Sequence, residues 1–176
     1  MTVLTNSSTI TLWQEAIQFA ENRCQVTLQP DLETYLIALL MRYSNQPEVA
    51  KRVLATAFLE AAAQQRLQRQ VSLQHVGDEC LLLAGLFPKI VERKQVKISY
   101  FVNLGQTAYS AISQKANDLY GLLALQFVVL MDVLQSIHQN ADLMPLEAYD
   151  QWREVGSQRA LAILKTYTKG FPIDPR

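Results

Sequence analysis

The sequence has few residues suited to metal or nucleic-acid chemistry: two cysteines and two histidines in 176 residues, and no basic run longer than two. Cys24 and Cys80 are too far apart for a CxxC or zinc-type spacing, so we expect two small buried thiols in a reducing compartment. Acidic and basic residues balance to a net charge of zero. Since nucleic-acid binding needs a basic surface, we expect no nucleic-acid partner.

Signals for strands and for known catalytic motifs are also missing. No Asn-Gly or Asp-Gly hairpin turn occurs, and apolar and polar residues never alternate for long. The sequence contains no P-loop, GxGxxG, GxSxG or HExxH motif. It also has no repeat of fixed period and no low-complexity linker. The sequence therefore favours a non-enzymatic protein without a cofactor.

The apolar content of 49% is arranged with helical periodicity along most of the chain. The pattern predicts an all-α, irregular bundle of six to eight helices around a central apolar helix at residues 119–137. We expect a flexible N-terminal arm at 1–11, one helical domain at 12–170 and a C-terminal tail at 171–176. A helix is predicted to begin at Pro30, another at Pro47, and a long final helix to contain Gly156.

Residues 119–137 are almost long enough to cross a bilayer, but Gln126, Asp132 and Gln135 interrupt the apolar run. Basic or aromatic anchors are missing from its flanks. We therefore predict a buried core helix and no membrane partner, with Asp132 on a polar, solvated side. The first residues lack the basic start and apolar core of a signal peptide, which predicts a cytoplasmic protein.

Five glycines fall inside helical patterns, where each costs about 1 kcal/mol relative to alanine; they are Gly77, Gly85, Gly105, Gly121 and Gly156. One interpretation is that helices cross there at close range. The other is that a ligand approaches the backbone. For Gly85 we predict a crossing with the helix that carries Gly105.

The candidate polar site lies on the helix around residue 78. His75, Asp78 and Glu79 share the i, i+3, i+4 spacing that can hold a metal or a proton. A di-iron bundle needs further Glu-x-x-His ligands that are missing, so no metal is expected. Asp78 shares a face with apolar residues, which predicts a buried carboxylate. We expect it to accept a hydrogen bond from a tyrosine hydroxyl, that of Tyr109 or Tyr100, or from a backbone N–H. Its role is either structural or that of a ligand-anchoring or proton-transfer group.

A resemblance is carried by Gly77-Asp78, by Gly85-Leu86-Phe87-Pro88, and by Gly105 followed by Ala108-Tyr109. This pattern resembles one found in uncharacterised bacterial all-helical proteins of similar size. The likeness covers about a quarter of the chain and implies a bacterial cytosolic helical protein. It implies no reaction, cofactor or partner.

The sequence therefore supports two hypotheses about function. The first is a helical protein-interaction or regulatory module without enzymatic activity, with a homodimer as one form of association. The alternative is a helical enzyme or small-molecule sensor with an apolar pocket near Asp78, His75, Tyr100 and Tyr109. A pocket of several hundred Å³ at these residues would favour the alternative, and a flat exposed apolar patch above about 400 Å² would favour the first.

Overall fold

The computed structural model describes residues 2–45, 54–93, 95–138 and 143–168, which form helices and no strand. In chain order the helices are α1 (Thr2–Cys24), α2 (Pro30–Asn45), α3 (Leu54–Ala62), α4 (Arg66–Leu86), α5 (Pro88–Arg93), α6 (Ile98–Ile112), α7 (Leu119–Leu125), α8 (Phe127–Ser136), α9 (Pro145–Val155) and α10 (Gln158–Tyr167). The all-α class is confirmed. The structure describes ten helices instead of the predicted six to eight. Two of the predicted helices are each divided into two, and the short helix α5 begins at Pro88.

Helix α4 lies at the centre of the bundle and packs against α3, α6 and α8. From Val76 to Gly85 nearly every residue is buried. A helix with apolar residues on opposite sides can bury both only between other helices. The main core forms around α4, while α9 and α10 pack around a smaller apolar cluster of their own.

Two glycines mark close helix crossings in this core. A Cβ atom at Gly105 would lie 2.4 Å from the Phe127 ring and 2.9 Å from Cys80 Cβ, so α4, α6 and α8 meet there. A Cβ atom at Gly85 would lie 2.6 Å from Leu134 Cβ of α8. Close crossing is thus confirmed as the reason for both glycines. The predicted partner of Gly85 is wrong, because α8 and not α6 approaches it.

The predicted continuous helix at 119–137 is wrong. The helix breaks at Gln126 (φ −99°, ψ 16°), and the axes of α7 and α8 differ by 71°. Leu125, at the end of α7, is exposed, whereas Phe127 is fully buried at the Gly105 crossing. The bend thus directs α8 into the core, where it packs against α1, α4 and α6.

In the described part of the chain, no single helix has both the length and the apolar content needed to span a membrane. Taken together, α7 and α8 meet that criterion by length and composition, as a pair bent at Gln126.

The predicted long final helix is also divided, into α9 and α10. Gly156 adopts a left-handed conformation (φ 75°) and ends α9, and the Ser157 hydroxyl then accepts a hydrogen bond from the Ala160 N–H at the start of α10. A left-handed glycine followed by a serine N-cap is a common way to end one helix and begin another. Gly156 is therefore a helix-ending residue and not part of a helix crossing.

At the N-terminus the structure differs from the predicted arm, since α1 is helical from Thr2 onward. The start of α2 at Pro30 agrees with the prediction. The predicted helix start at Pro47 and the predicted tail at 171–176 lie outside the described residues.

Candidate functional site

Asp78 lies on α4 with only 4% of its surface exposed, and three donors surround its carboxylate. The hydroxyl groups of Tyr35 and Tyr109 both donate to Oδ1, at 2.6 and 2.7 Å. Arg42 Nη1 donates to Oδ2 at 3.1 Å and forms a salt bridge with it. The prediction that a tyrosine hydroxyl donates to a buried Asp78 is confirmed for Tyr109.

The hydrogen bonds continue from Asp78 to a fourth helix. Gln74 Nε2 donates to the Tyr35 hydroxyl oxygen at 3.1 Å, and the Tyr120 hydroxyl donates to Gln74 Oε1 at 3.0 Å. We call the six side chains the Asp78 network; they are Tyr35, Arg42, Gln74, Asp78, Tyr109 and Tyr120. Because they come from α2, α4, α6 and α7, the network ties four helices together.

The space for Tyr109 is created by Gly77, the residue before Asp78. A Cβ atom at this position would lie 2.6 Å from Tyr109 Cε1. The fully buried Tyr109 ring packs edge-on against Tyr35 and stacks with Tyr120, with both ring centres 6.4 Å away. The absence of a side chain at residue 77 therefore lets the phenol of α6 reach the carboxylate on α4.

Burial dominates the electrostatics of the network. It raises the pKa of the Asp78 carboxyl, and the hydrogen bonds from Tyr35 and Tyr109 and the charge of Arg42 only partly offset this effect. Burial and the nearby Asp78 charge also raise the pKa of Tyr35 and of Tyr109. Both phenols therefore remain protonated hydrogen-bond donors at neutral pH.

The other predicted site residues do not join the network. His75 is exposed on α4, and Glu79 is half-buried beside it. Tyr100 is 40% exposed, and its ring packs edge-on against Phe101. The structure thus brings together Asp78 and Tyr109 and places Tyr100 elsewhere.

Sequence reasoning missed four members of the network, namely Tyr35, Arg42, Gln74 and Tyr120. Two signals pointed to Tyr35, Arg42 and Gln74. Tyr35 and Arg42 are seven residues apart on α2 and so lie on one face, and Gln74 precedes Asp78 by four residues on α4. A buried carboxylate also needs a charge partner, which Arg42 provides.

The cavity next to Asp78 is small, about 70 Å³, and His75, Glu79, Tyr43 and Arg42 are among its lining residues. Binding sites for small molecules are usually several hundred Å³. Asp78 itself already has three donors. This geometry suits a structural cluster better than a ligand pocket.

A second buried carboxylate, Asp132 on α8, lies at the start of α10. The Ser157 hydroxyl donates to Oδ1 at 2.6 Å, and the Arg159 backbone N–H donates to Oδ2 at 3.2 Å. Burial raises the pKa of Asp132. Its predicted position on a solvated side is wrong, because Asp132 is 5% exposed and holds the N-terminus of α10 against the core.

Cys24, at the end of α1, lies next to the same part of α8. Its thiol is 3.0 Å from the Ser136 hydroxyl, and burial raises its pKa. Cys24 is only half-buried, whereas Cys80 is buried as predicted. Both thiols are free. Within the described ranges, three or more His, Cys, Asp or Glu side chains nowhere group as metal ligands.

Comparisons of the chain with protein-family models, curated proteins and solved structures gave no match. The resemblance carried by residues 77–109 therefore has no family match to support it.

Proposed function

We propose that the protein is a non-enzymatic helical module that acts by associating with protein, and that its partner is a second copy of this chain. The support comes from an apolar surface on α9 and α10. We call this surface the outer patch and define it as Met144, Leu146, Tyr149 and Tyr167. All four side chains are exposed, and Leu146 retains 78% of its surface.

Two helices contribute to the outer patch. On α9, Leu146, Tyr149 and Arg153 follow each other at helical spacing on one side, while Ala148 and Gln151 are buried on another. On α10, the Tyr167 hydroxyl donates to the Leu143 carbonyl at 3.4 Å, which places Tyr167 beside the start of α9. Exposed apolar residues that adjoin one another are typical of protein-interaction surfaces.

Self-association is favoured by the charge and by the side chains of this surface. The chain has no net charge, so two copies do not repel each other at long range. The Arg153 guanidinium lies over the Tyr149 ring, 5.6 Å from its centre. In a two-fold pairing of α9 with α9, each Arg153 can contact a second Tyr149 ring, and tyrosine and arginine are enriched in interfaces.

The alternative, an enzyme or sensor with a pocket at Asp78, His75, Tyr100 and Tyr109, has less support. Tyr100 lies outside the network, His75 is exposed, and the adjacent cavity is about 70 Å³. The outer patch therefore carries the proposal.

Sedimentation velocity over a series of protein concentrations tests it. The wild-type chain should form dimers as concentration rises, and Leu146→Glu should remain monomeric because it introduces a charge into the outer patch. Leu67→Glu is the matched control, since Leu67 is 81% exposed near the start of α4, a helix that contributes no residue to the patch. A wild-type monomer at every concentration, or dimer loss with Leu67→Glu alone, would contradict the proposal.

A further inference from the structure

Four exposed side chains on α9 form a single stripe along the helix. Leu146, Tyr149, Asp150 and Arg153 are spaced as i, i+3, i+4 and i+7. This spacing places them within a sector of about 100° around the helix axis. Leu146 retains 78% of its surface and Tyr149 retains 40%, and Asp150 and Arg153 are exposed as well. The stripe therefore presents an aliphatic, an aromatic, an acidic and a basic side chain to solvent.

The spacing of the stripe is the same when it is read in either direction, because its centre lies between residues 149 and 150. In an antiparallel, two-fold pair of α9 helices, Leu146 of one copy would therefore face Arg153 of the other. With a rise of 1.5 Å per residue, Arg153 would lie about 6 Å along the axis from Asp150 of the second copy. The stripe can thus match a second copy of itself.

Arg153 already points in the direction that this pairing requires. Its Cζ atom lies 5.6 Å from the centre of the Tyr149 ring, so the side chain extends back toward the start of α9. Helical side chains lean this way because the Cα–Cβ bond is tilted toward the N-terminus. In the antiparallel pair this direction leads to the centre, where Asp150 of the second copy lies. The methylene groups of Arg153 would cover Leu146 of the second copy on the way.

Charge distinguishes the antiparallel pair from a parallel one. In a parallel two-fold pair, each residue of the stripe faces its own counterpart, so Arg153 would face Arg153 and Asp150 would face Asp150. Like charges that face each other across an interface oppose association. The antiparallel pair brings opposite charges together instead, and it also opposes the two helix dipoles.

We infer that α9 pairs with α9 of a second copy in an antiparallel orientation, through two reciprocal ion pairs between Arg153 and Asp150. This inference rests on the proposed self-association through the outer patch and adds its geometry. Leu146 and Tyr149 belong to the outer patch, so each ion pair would lie beside apolar contacts. The ion pairs make the contact specific, because a partner helix must carry an acid and a base in the same order.

A charge swap tests the pairing by sedimentation velocity. Asp150→Lys and Arg153→Glu each bring like charges together, and each should weaken the dimer about tenfold or more. The double variant restores opposite charges and should dimerise within about threefold of the wild type. Glu60→Lys is the matched control: it makes the same change in net charge at an exposed position of α3 and should leave the dimer unchanged.

Asp150→Asn separates the two orientations. This variant should weaken an antiparallel dimer, which loses an ion pair, whereas it would tighten a parallel dimer, which loses a repulsion. Tightening by Asp150→Asn would overturn the inference. A dimer that Leu146→Glu abolishes but that the single swaps leave unchanged, or that the double swap does not restore, would also overturn it and leave the proposed function standing. A wild-type monomer at every concentration would overturn both. Circular dichroism confirms that each variant is folded.

Discussion

The Tyr109 hydroxyl lies 2.7 Å from Asp78 Oδ1, and the Tyr109 ring occupies the space that a side chain on Gly77 would need. The same contact therefore explains a glycine in the middle of α4 and a carboxylate in the core. Both residues serve the junction of α4 with α6.

Replacement of Gly77 should destabilise the protein. In Gly77→Ala the new methyl group would be 2.6 Å from the Tyr109 ring, so the ring or the helix must move. Overpacking of this kind costs about 1–3 kcal/mol, more than the roughly 1 kcal/mol that alanine gains in a helix. Urea unfolding measures the difference, with Gln68→Ala at an exposed position of α4 as the control. Equal or higher stability of Gly77→Ala would disprove the close contact.

The hydroxyl of Tyr109 should contribute to stability independently of its ring. Tyr109→Phe keeps the buried ring but removes a donor from the charged Asp78, at a cost of about 1–3 kcal/mol. Tyr100→Phe removes a hydroxyl that lies outside the Asp78 network and should change the free energy of unfolding little. Both variants replace a tyrosine with phenylalanine, so comparing their urea midpoints isolates the contribution of the Tyr109–Asp78 hydrogen bond. Equal midpoints would argue against it.

The raised pKa of Asp78 predicts a pH dependence with a definite sign. Above the ordinary aspartate pKa of about 3.9, the unfolded chain releases this proton more readily than the folded chain does. The stability linked to Asp78 is therefore fully present below about pH 3.9 and is lost as pH rises through the folded pKa. Subtracting the unfolding free energy of Asp78→Asn from that of the wild type removes the contributions of other titrating groups, including Asp132.

We expect the wild type to lose stability relative to Asp78→Asn as the pH rises above about 4, by at most about 1.4 kcal/mol per pH unit. Urea unfolding of both proteins at several pH values measures this difference. A difference that grows in favour of the wild type as pH rises would mean that Arg42 and the two phenols outweigh burial.

Removal of Asp132 should release the start of α10. The Ser157 hydroxyl and the Arg159 N–H both donate to this carboxylate, so Asp132→Ala leaves two donors without an acceptor at a buried position. We expect faster amide hydrogen exchange in residues 158–161, while amides in α2 keep their wild-type rates. Unchanged exchange at the start of α10 would show that Asp132 does not hold it.

Helical periodicity was enough to predict the all-α class, the buried position of Asp78 and its bond with Tyr109. These features depend on spacing within one helix or on the need of a buried charge for a partner.

The missed features depend on packing between distant segments. Tyr35 reaches Asp78 because α2 lies beside α4, which the spacing within α2 does not reveal. The break at Gln126 follows an apolar run without a proline or a left-handed residue, and the next residue, Phe127, packs at Gly105 on a distant helix. Gly156 ends α9 through its left-handed backbone, although the sequence pattern around it continues as a helix.

The central claim is that the Asp78 network supports the fold while the outer patch carries the function, and Asp78→Asn tests both parts. Asp78→Ala should cost about 1–3 kcal/mol, and Asp78→Asn should cost less because it keeps the shape and an acceptor. The decisive measurement is sedimentation velocity of Asp78→Asn alongside its urea unfolding. The account predicts a changed free energy of unfolding and an unchanged dimer. Unchanged stability with a lost dimer would contradict it and make Asp78 a functional residue.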